Sequence, residues 1–306
     1  MLELENLIAT TQPTNGYLGY IFWYSIGGGV KIEREELKKK LIENNLEEDW
    51  LPNKIRAVDA FRKATKDIER KRVTSDPKIV ENILVREVFF DEKMIQRNIV
   101  IERVDQNDKR LGYKTEVAIL RLDKKTGALF FETEVEEIKN ICEEIKERYY
   151  MYKNYYTSQR LRMMIAKLLS SLAPTPLRDS GVIYFVPRSM SERVKNVVGF
   201  IRSIGGEAFN VPVIDSKDNR HMVNVKLHDY LDQLLEGIKE MYQNPQRFKK
   251  SQIKDLIEET NRAIDDYKNY EKLMEAEKEL YFKKLSLLRD EVEKLRAMMP
   301  QGSKIG

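Results

Sequence analysis

The segment Arg148-Tyr-Tyr-Met-Tyr-Lys-Asn-Tyr-Tyr-Thr-Ser-Gln-Arg-Leu-Arg162 interleaves five tyrosines with cations and amides. Guanidinium and ammonium groups neutralise phosphates and aromatic rings stack on exposed bases, so these residue types together are the chemistry of a nucleic-acid contact. A wider charge bias surrounds them. Between Arg148 and Arg202 ten Lys/Arg residues face two acids, Asp179 and Glu192, a local +8 in a chain whose total is +4. Everything outside this stretch sums to about −4, and a basic segment in an otherwise acidic chain sets up a local field that attracts polyanions. The candidate nucleic-acid contacts are Arg148, Tyr150, Lys153, Tyr155, Arg160, Arg162, Lys167, Arg178 and Arg188. If the segment is helical, Tyr149, Tyr152 and Tyr156 share an apolar seam, while Tyr150 and Tyr155 point elsewhere. The competing reading is structural: a solvated helix face, or one packed against the acidic C-terminal stretch with Glu258, Glu259, Asp265 and Asp266.

Other residues with chemical potential are few. Gly27-Gly28-Gly29 lies between a strand and a helix, where backbone N–H groups could cradle a phosphate, but it lacks the Gly-Lys-Ser/Thr ending of a P-loop and reads as a turn. His221 and His228, the only histidines, are seven apart on one side of a helix, and a metal would need Asp218 or Asp232 as a third ligand. Arg86, Arg97 and Glu102, with Tyr113 nearby, could form an anion-binding or acid/base cluster, or simply the solvated face of a sheet. The single cysteine, Cys142, excludes an intrachain disulfide and a multi-cysteine zinc site. No metal, cofactor or catalytic residue is expected.

The elements that must position these groups begin with Tyr17 to Ile26, aromatic and β-branched, a strand ended by the glycines. Helical spacing follows at Leu37, Leu41 and Ile42, and at Val58, Phe61, Ala64 and Ile68, separated by Pro52. Ile83 to Phe90, Ile99 to Val104, Val117 to Leu122 and Ala128 to Phe131 alternate as strands, and Asn107-Asp108 and Lys125-Thr126-Gly127 separate them as turns. An antiparallel meander is expected, within an N-terminal α+β domain over residues 1–132.

Residues 133–173 carry a heptad-like stripe from Ile138 to Ser170, interrupted only at Gln159, and read as one long helix. Pro174 and Pro176 end it. A small βαβα unit over 174–244 follows: strand Val182 to Val186, helix Ser191 to Ile204, strand Ala208 to Ile214, helix Asn219 to Tyr242. Residues 245–306 bear a second heptad-spaced stripe, from Ile253 to Met299, that suggests a C-terminal coiled-coil helix. The expected fold class is therefore α+β: an N-terminal mixed domain with an antiparallel meander, a long helical coiled-coil stalk and a small α/β tip unit. The stripes could instead pair between copies. No apolar run approaches the roughly 20 residues of a membrane span, and the acidic start Met-Leu-Glu-Leu-Glu-Asn does not read as a signal peptide. A cytoplasmic location is expected.

Leu51-Pro52 followed by Val58-Asp59-Ala60-Phe61-Arg62-Lys63-Ala64-Thr65, Val85-Arg86-Glu87-Val88 with Arg97 and Glu102, and Ser180-Gly181-Val182-Ile183-Tyr184-Phe185-Val186-Pro187 resemble landmarks of an uncharacterised family found in bacteria and their phages. The resemblance covers most of residues 17 to 240 and implies a prokaryotic or phage origin without an activity. The function expected from the residues is non-catalytic: an oligomeric nucleic-acid-associated protein, self-associating through its helices. The alternatives are a coiled-coil scaffold or phage inhibitor that engages a host protein and, ranked last, an enzyme using the Arg86/Arg97/Glu102 face.

Overall fold

The computed structural model describes residues 16–74, 76, 78–107, 109–178 and 183–298. The fold is α+β, with eight α-helices and two larger antiparallel sheets among the described residues. The chain forms two compact units, one drawn from Lys31–Lys38 and Leu51–Arg160, the other from Met1–Val30, Lys39–Trp50 and Leu161–Gly306. The four consecutive segments expected from the sequence do not map onto these units, because distant parts of the chain complete each one. No described helix is long and apolar enough to cross a membrane.

The first, the meander unit, is built locally. Strands β3 (Arg70–Val73), β4 (Ile79–Phe90), β5 (Met94–Asp105), β6 (Arg110–Asp123) and β7 (Leu129–Glu132) pair in sequence order, each antiparallel to the next. Aspartates close the turns. Asp91 Oδ1 accepts the N–H groups of Lys93 and Met94 at 2.8 and 2.6 Å, and Asp123 Oδ1 accepts those of Lys125 and Thr126, both at 2.8 Å. Asp105 does the same for Asn107 and Lys109, the side-chain mimicry of a backbone turn that favours Asp in such positions. Gly127, at φ +68°, supplies the left-handed residue in the β6–β7 turn.

Alternation sends Ile83 and Val85, Ile95, Ile99 and Ile101, and Ala118, Leu120 and Leu122 to one face of this sheet. Helix α2 (Ala57–Lys66) and helix α3 (Glu136–Asn154) cover that face with Ala60, Phe61, Ala64, Ile138, Ile141, Cys142, Ile145 and Tyr149, all buried. These positions recur at the three- and four-residue spacing of an apolar helix stripe. Burial pushes the Cys142 thiol up to about 12, so it stays protonated inside the core.

The long helix expected over 133–173 is broken. Helix α3 ends at Asn154, residues Tyr155–Thr157 form strand β8, and helix α4 runs from Ser158 to Ser170. Strand β8 pairs with β2 (Lys31–Glu33), with Ile32 opposite Tyr156. Tyr156 is fully buried there, and its hydroxyl lies 3.1 Å from Pro52 O and 2.9 Å from Asn53 O. Tyr-Tyr-Thr is a β-prone triplet, and tertiary pairing outweighs the helical register in which Tyr156 would continue the seam.

The second, the split-sheet unit, is built from distant pieces. Its sheet has the order β11 (Glu207–Ile214), β1 (Tyr17–Ser25), β10 (Ile183–Pro187), β9 (Thr175–Pro176). The strand assigned from sequence to the N-terminal domain is thus the central strand between the two strands of the expected βαβα unit. That unit is not self-contained; β10 and β11 each run antiparallel to β1 and meet only through it. Their helices are as expected, α5 at Ser191–Ser203 and α6 at Lys217–Gln243, while Val182 lies outside the described residues. Flanked on both sides, β1 reads as a nearly continuous apolar run. At Gly19 a Cβ would stand 2.1 Å from Val186 O, so only glycine lets β1 and β10 approach this closely.

The stretch expected as one C-terminal helix is two, α7 (Lys250–Asp265) and α8 (Lys278–Met298), joined by short 3₁₀ turns. Its apolar stripe is buried within the chain: Tyr281, Leu285, Leu288, Val292 and Leu295 share a core with Leu227, Leu231, Leu234 and Ile238 of α6 and with Ile257 and Ile264 of α7. Met299, the last stripe residue, lies outside the described residues.

Candidate nucleic-acid interface

The face of the five-stranded sheet opposite α2 and α3 carries a rung of four directly paired residues, Phe89, Gln96, Arg121 and Phe130. A bulge creates it. Pairing runs Glu87 to Arg97 and then Phe89 to Gln96, leaving Val88 unpaired; strict alternation would have sent Phe89 towards the helices. The extra residue turns it outward. Phe89 is 45% and Phe130 62% exposed, at the two ends of a row about 14 Å wide at normal strand spacing. Between them Arg121 donates from Nε to Gln96 Oε1 at 3.1 Å and from Nη1 to Glu132 Oε1 at 2.5 Å. Both partners are solvent-accessible, so this ion pair is weak and open to exchange for another anion.

Cations rim the same end of the sheet. The β4–β5 and β6–β7 turns are tied by a hydrogen bond from Lys124 N–H to Lys93 O at 2.8 Å, which holds Lys93, Lys124 and Lys125 on adjoining loops. The Lys124 ammonium donates to Asp91 O at 2.6 Å and stands 4.2 Å from the centre of the Phe90 ring, which pairs opposite Ile95 on the helix-covered face with the Arg62 guanidinium of α2 5.3 Å away. Farther along the helix-covered face, charges are spoken for. Glu81 is paired to Arg72 at 2.6 Å and Arg103 at 2.8 Å; burial raises its carboxyl, but these guanidinium bonds outweigh burial and hold it below the usual range.

The residues chosen from sequence fall into both units. Arg148, Tyr150, Lys153, Tyr155 and Arg160 belong to the meander unit, Arg162, Lys167, Arg178 and Arg188 to the split-sheet unit. Arg148 is engaged by Glu144 at 2.8 Å and lies 3.9 Å from Asp67. Lys153 reaches Gly127 O at 3.4 Å, above the ring of Tyr149. Tyr155 sits on β8 beneath the Lys31 ammonium, and Glu33 pushes its hydroxyl up. Tyr150 is exposed, and Arg160 lies beside Asp59 and Lys63 in a shallow depression. Arg162 caps Ile26 O at 2.5 Å, Arg188 stacks over Tyr17, and Lys167 and Arg178 are exposed.

The Arg86, Arg97 and Glu102 group is not a cluster. Register places Arg97 opposite Glu87 on the helix-covered face and Arg86 and Glu102 on the other. Arg97 donates to Thr65 Oγ1 and to Arg62 O, Arg86 lies 3.7 Å from Glu69, and Glu102 accepts from Arg110 at 2.6 Å. Tyr113 is paired opposite Glu102. His228 bonds Glu277 through Nε2 at 2.9 Å, and His221 is exposed. The Gly27–Gly29 stretch is a turn, closed by Val30 N–H to Gly27 O, and leads into β2 instead of a helix.

Fold and surface define a helix-rich α+β protein with an exposed aromatic rung on the outward face of its five-stranded sheet. Residues 17–301 match the model of DUF6744, a family of unknown function, and the chain belongs to that family. The resemblance to an uncharacterised family is thereby established, and it extends past residue 240 into the C-terminal helices. No curated protein and no solved structure matches the chain.

Proposed function

We propose that the protein binds single-stranded nucleic acid without catalysis, on the outward face of the meander sheet. The observation that carries this reading is the rung itself: two exposed aromatic rings at either end of an arginine and a glutamine, in direct cross-strand register. Phe89 and Phe130 offer stacking surfaces to two unpaired bases, and Arg121 between them, with Lys93 and Lys125 on the adjoining turns, offers charge to the phosphates. Lys153 and Arg160 are the cations of the basic, tyrosine-rich segment on this unit that form no ion pair among the described residues, but with Tyr150 they belong to the helix layer and stand apart from the rung.

The test is binding of labelled DNA and RNA oligonucleotides at low salt. Phe89→Ala and Phe130→Ala should each weaken single-strand binding by about 1–3 kcal/mol and duplex binding much less. Reversing Lys93 and Lys125 to Glu should flatten the salt dependence by about 0.7 in log–log slope per lost phosphate contact. Folded protein that binds neither DNA nor RNA sinks the proposal.

A protein-binding scaffold is the second reading, favoured by Leu280 and Leu287 of α8. They are seven residues apart, on one side of the helix, and 52% and 43% exposed. Self-association through that stripe would appear as a mass that falls to the monomer in Leu280→Glu plus Leu287→Glu.

A further inference from the structure

The split-sheet unit holds a half-open cavity of about 160 Å³ that the nucleic-acid reading does not use. Four tyrosines from separate elements line it: Tyr184 of β10, Tyr230 of α6, Tyr270 from the turn after α7, and Tyr281 of α8. Two carboxylates join them, Glu259 on α7 and Asp266 just beyond its end. The volume resembles that of an apolar cavity able to admit benzene, so an occupant has roughly six to eight non-hydrogen atoms.

The polar groups in the wall are unequally satisfied. Tyr230 Oη donates to Glu259 Oε1 at 3.1 Å. Tyr270 is wholly buried; its hydroxyl lies 2.5 Å from Ala173 O and 2.8 Å from Thr175 Oγ1, so that oxygen is already occupied. The Asp266 N–H bonds back to Arg262 O as the C-cap of α7, but its carboxylate has no hydrogen bond or ion pair among the described residues. Burial, with neighbouring Asp265, pushes its carboxyl up to about 6 despite Arg262 and Lys268 nearby. The carboxylate is half-buried and faces the cavity, so a cation bound there would meet it directly. Arg262 also lines the wall, but it is one guanidinium against two carboxylates.

We infer that this cavity binds a small organic cation, an amine or alkylammonium group held by Asp266 and Glu259 and surrounded by the tyrosines. The ring quadrupoles favour positive charge, and desolvation inside the cavity strengthens that preference. An anion would meet two like charges. A neutral ligand would leave Asp266 unanswered.

The experiment uses the full chain and three probes in isothermal titration: choline, tetramethylammonium and 3,3-dimethylbutan-1-ol, the neutral carbon isostere of choline. The cations should bind saturably, and the neutral alcohol at least about tenfold more weakly than choline. Asp266→Asn, which keeps the shape of the wall, should weaken choline binding about tenfold and leave the alcohol unchanged. Tyr230→Phe gives a second variant that retains the aromatic wall while freeing Glu259, and it should preserve cation binding. Equal affinity for choline and its isostere would reduce the cavity to an apolar void, and absence of saturable binding by both cations would overturn the inference. An unchanged choline affinity in folded Asp266→Asn would also defeat it. Because the cavity and the sheet face lie on different units, loss of oligonucleotide binding in Phe89→Ala leaves this result untouched.

Discussion

The two larger sheets obey the same rules of alternation and pairing but are assembled in opposite ways. In the meander every strand pairs with the next in sequence, across turns in which Asp91, Asp105 and Asp123 carry the local hydrogen bonds. In the split sheet, β1 pairs with strands whose partners lie more than 150 residues away, such as Phe22 with Tyr184 and Asn210. A local sheet stores its topology in short windows of sequence. A non-local one stores it in shape complementarity that exists only after collapse, at a higher loop-closure cost.

The largest expected effect tests the helical core that the non-local unit shares. Leu288 and Leu295 of α8 are buried against α6 and α7. Replacing both with Asp places unpaired charge in that core and should destabilise it by on the order of 5 kcal/mol or more. Circular dichroism and a urea midpoint read the outcome. An unchanged midpoint would mean that the stripe is not packed within the chain.

The comparison is sharpened by two glycines. Valine at Gly19 would drive its Cβ to within 2.1 Å of Val186 O and 2.8 Å of the Phe185 ring, in a central strand with no room to shift. Gly19→Val should cost at least about 3 kcal/mol. At Gly112, in β6 of the meander, a Cβ meets only Arg103 Cβ at 4.0 Å. Gly112→Val should therefore stay within about 0.5 kcal/mol of the parent, with β-branching favouring the strand. Similar losses at both positions would show that pairing distance along the chain is not what separates the sheets.

These contrasts explain what could be read from residues alone. The strands at Ile83–Phe90 and Val117–Leu122 and the stripe on α2 announce themselves by period, and their partners are the next elements along. The helices at Ser191 and Asn219 were legible for the same reason. Tyr17–Ser25 was legible as a strand, but nothing in its apolar run names Phe185 and Phe209 as neighbours. Tyr155–Thr157 was hidden because Tyr156 fits a heptad as well as a strand, although Tyr-Tyr-Thr followed by Ser158 is a strand-then-cap signal. At the site, the triplet Val88-Phe89-Phe90 breaks alternation just before a turn, the local mark of a bulge, and it points to Phe89. Phe130 required the register of β7 on β6, and the tyrosine cavity required α4, β9, β10, α6, α7 and α8 to meet.

The smallest effect concerns aspartates, which respond to pH with opposite signs in the two units. In the meander, backbone N–H groups hold the Asp91 and Asp123 carboxyls below their usual range. Their contribution is present above the ordinary carboxylate pKa and fades as pH falls through the depressed value. Asp266 behaves inversely. Burial raises it from 3.8 to about 6, so between those values the folded chain holds a proton that the unfolded chain has released, and stability declines as pH rises through that window. Asp266→Asn removes the penalty. The variant should be more stable than the parent by about 1 kcal/mol at pH 7, a figure reduced for the carboxyl's remaining solvent contact. The gain should shrink below pH 6 and vanish near 3.8, where the parent is protonated in both states. Urea midpoints of parent and variant at several pH values measure it. A gain that persists undiminished at low pH would trace to packing, and a loss at neutral pH would mean that Asp266 already has a favourable partner in the fold.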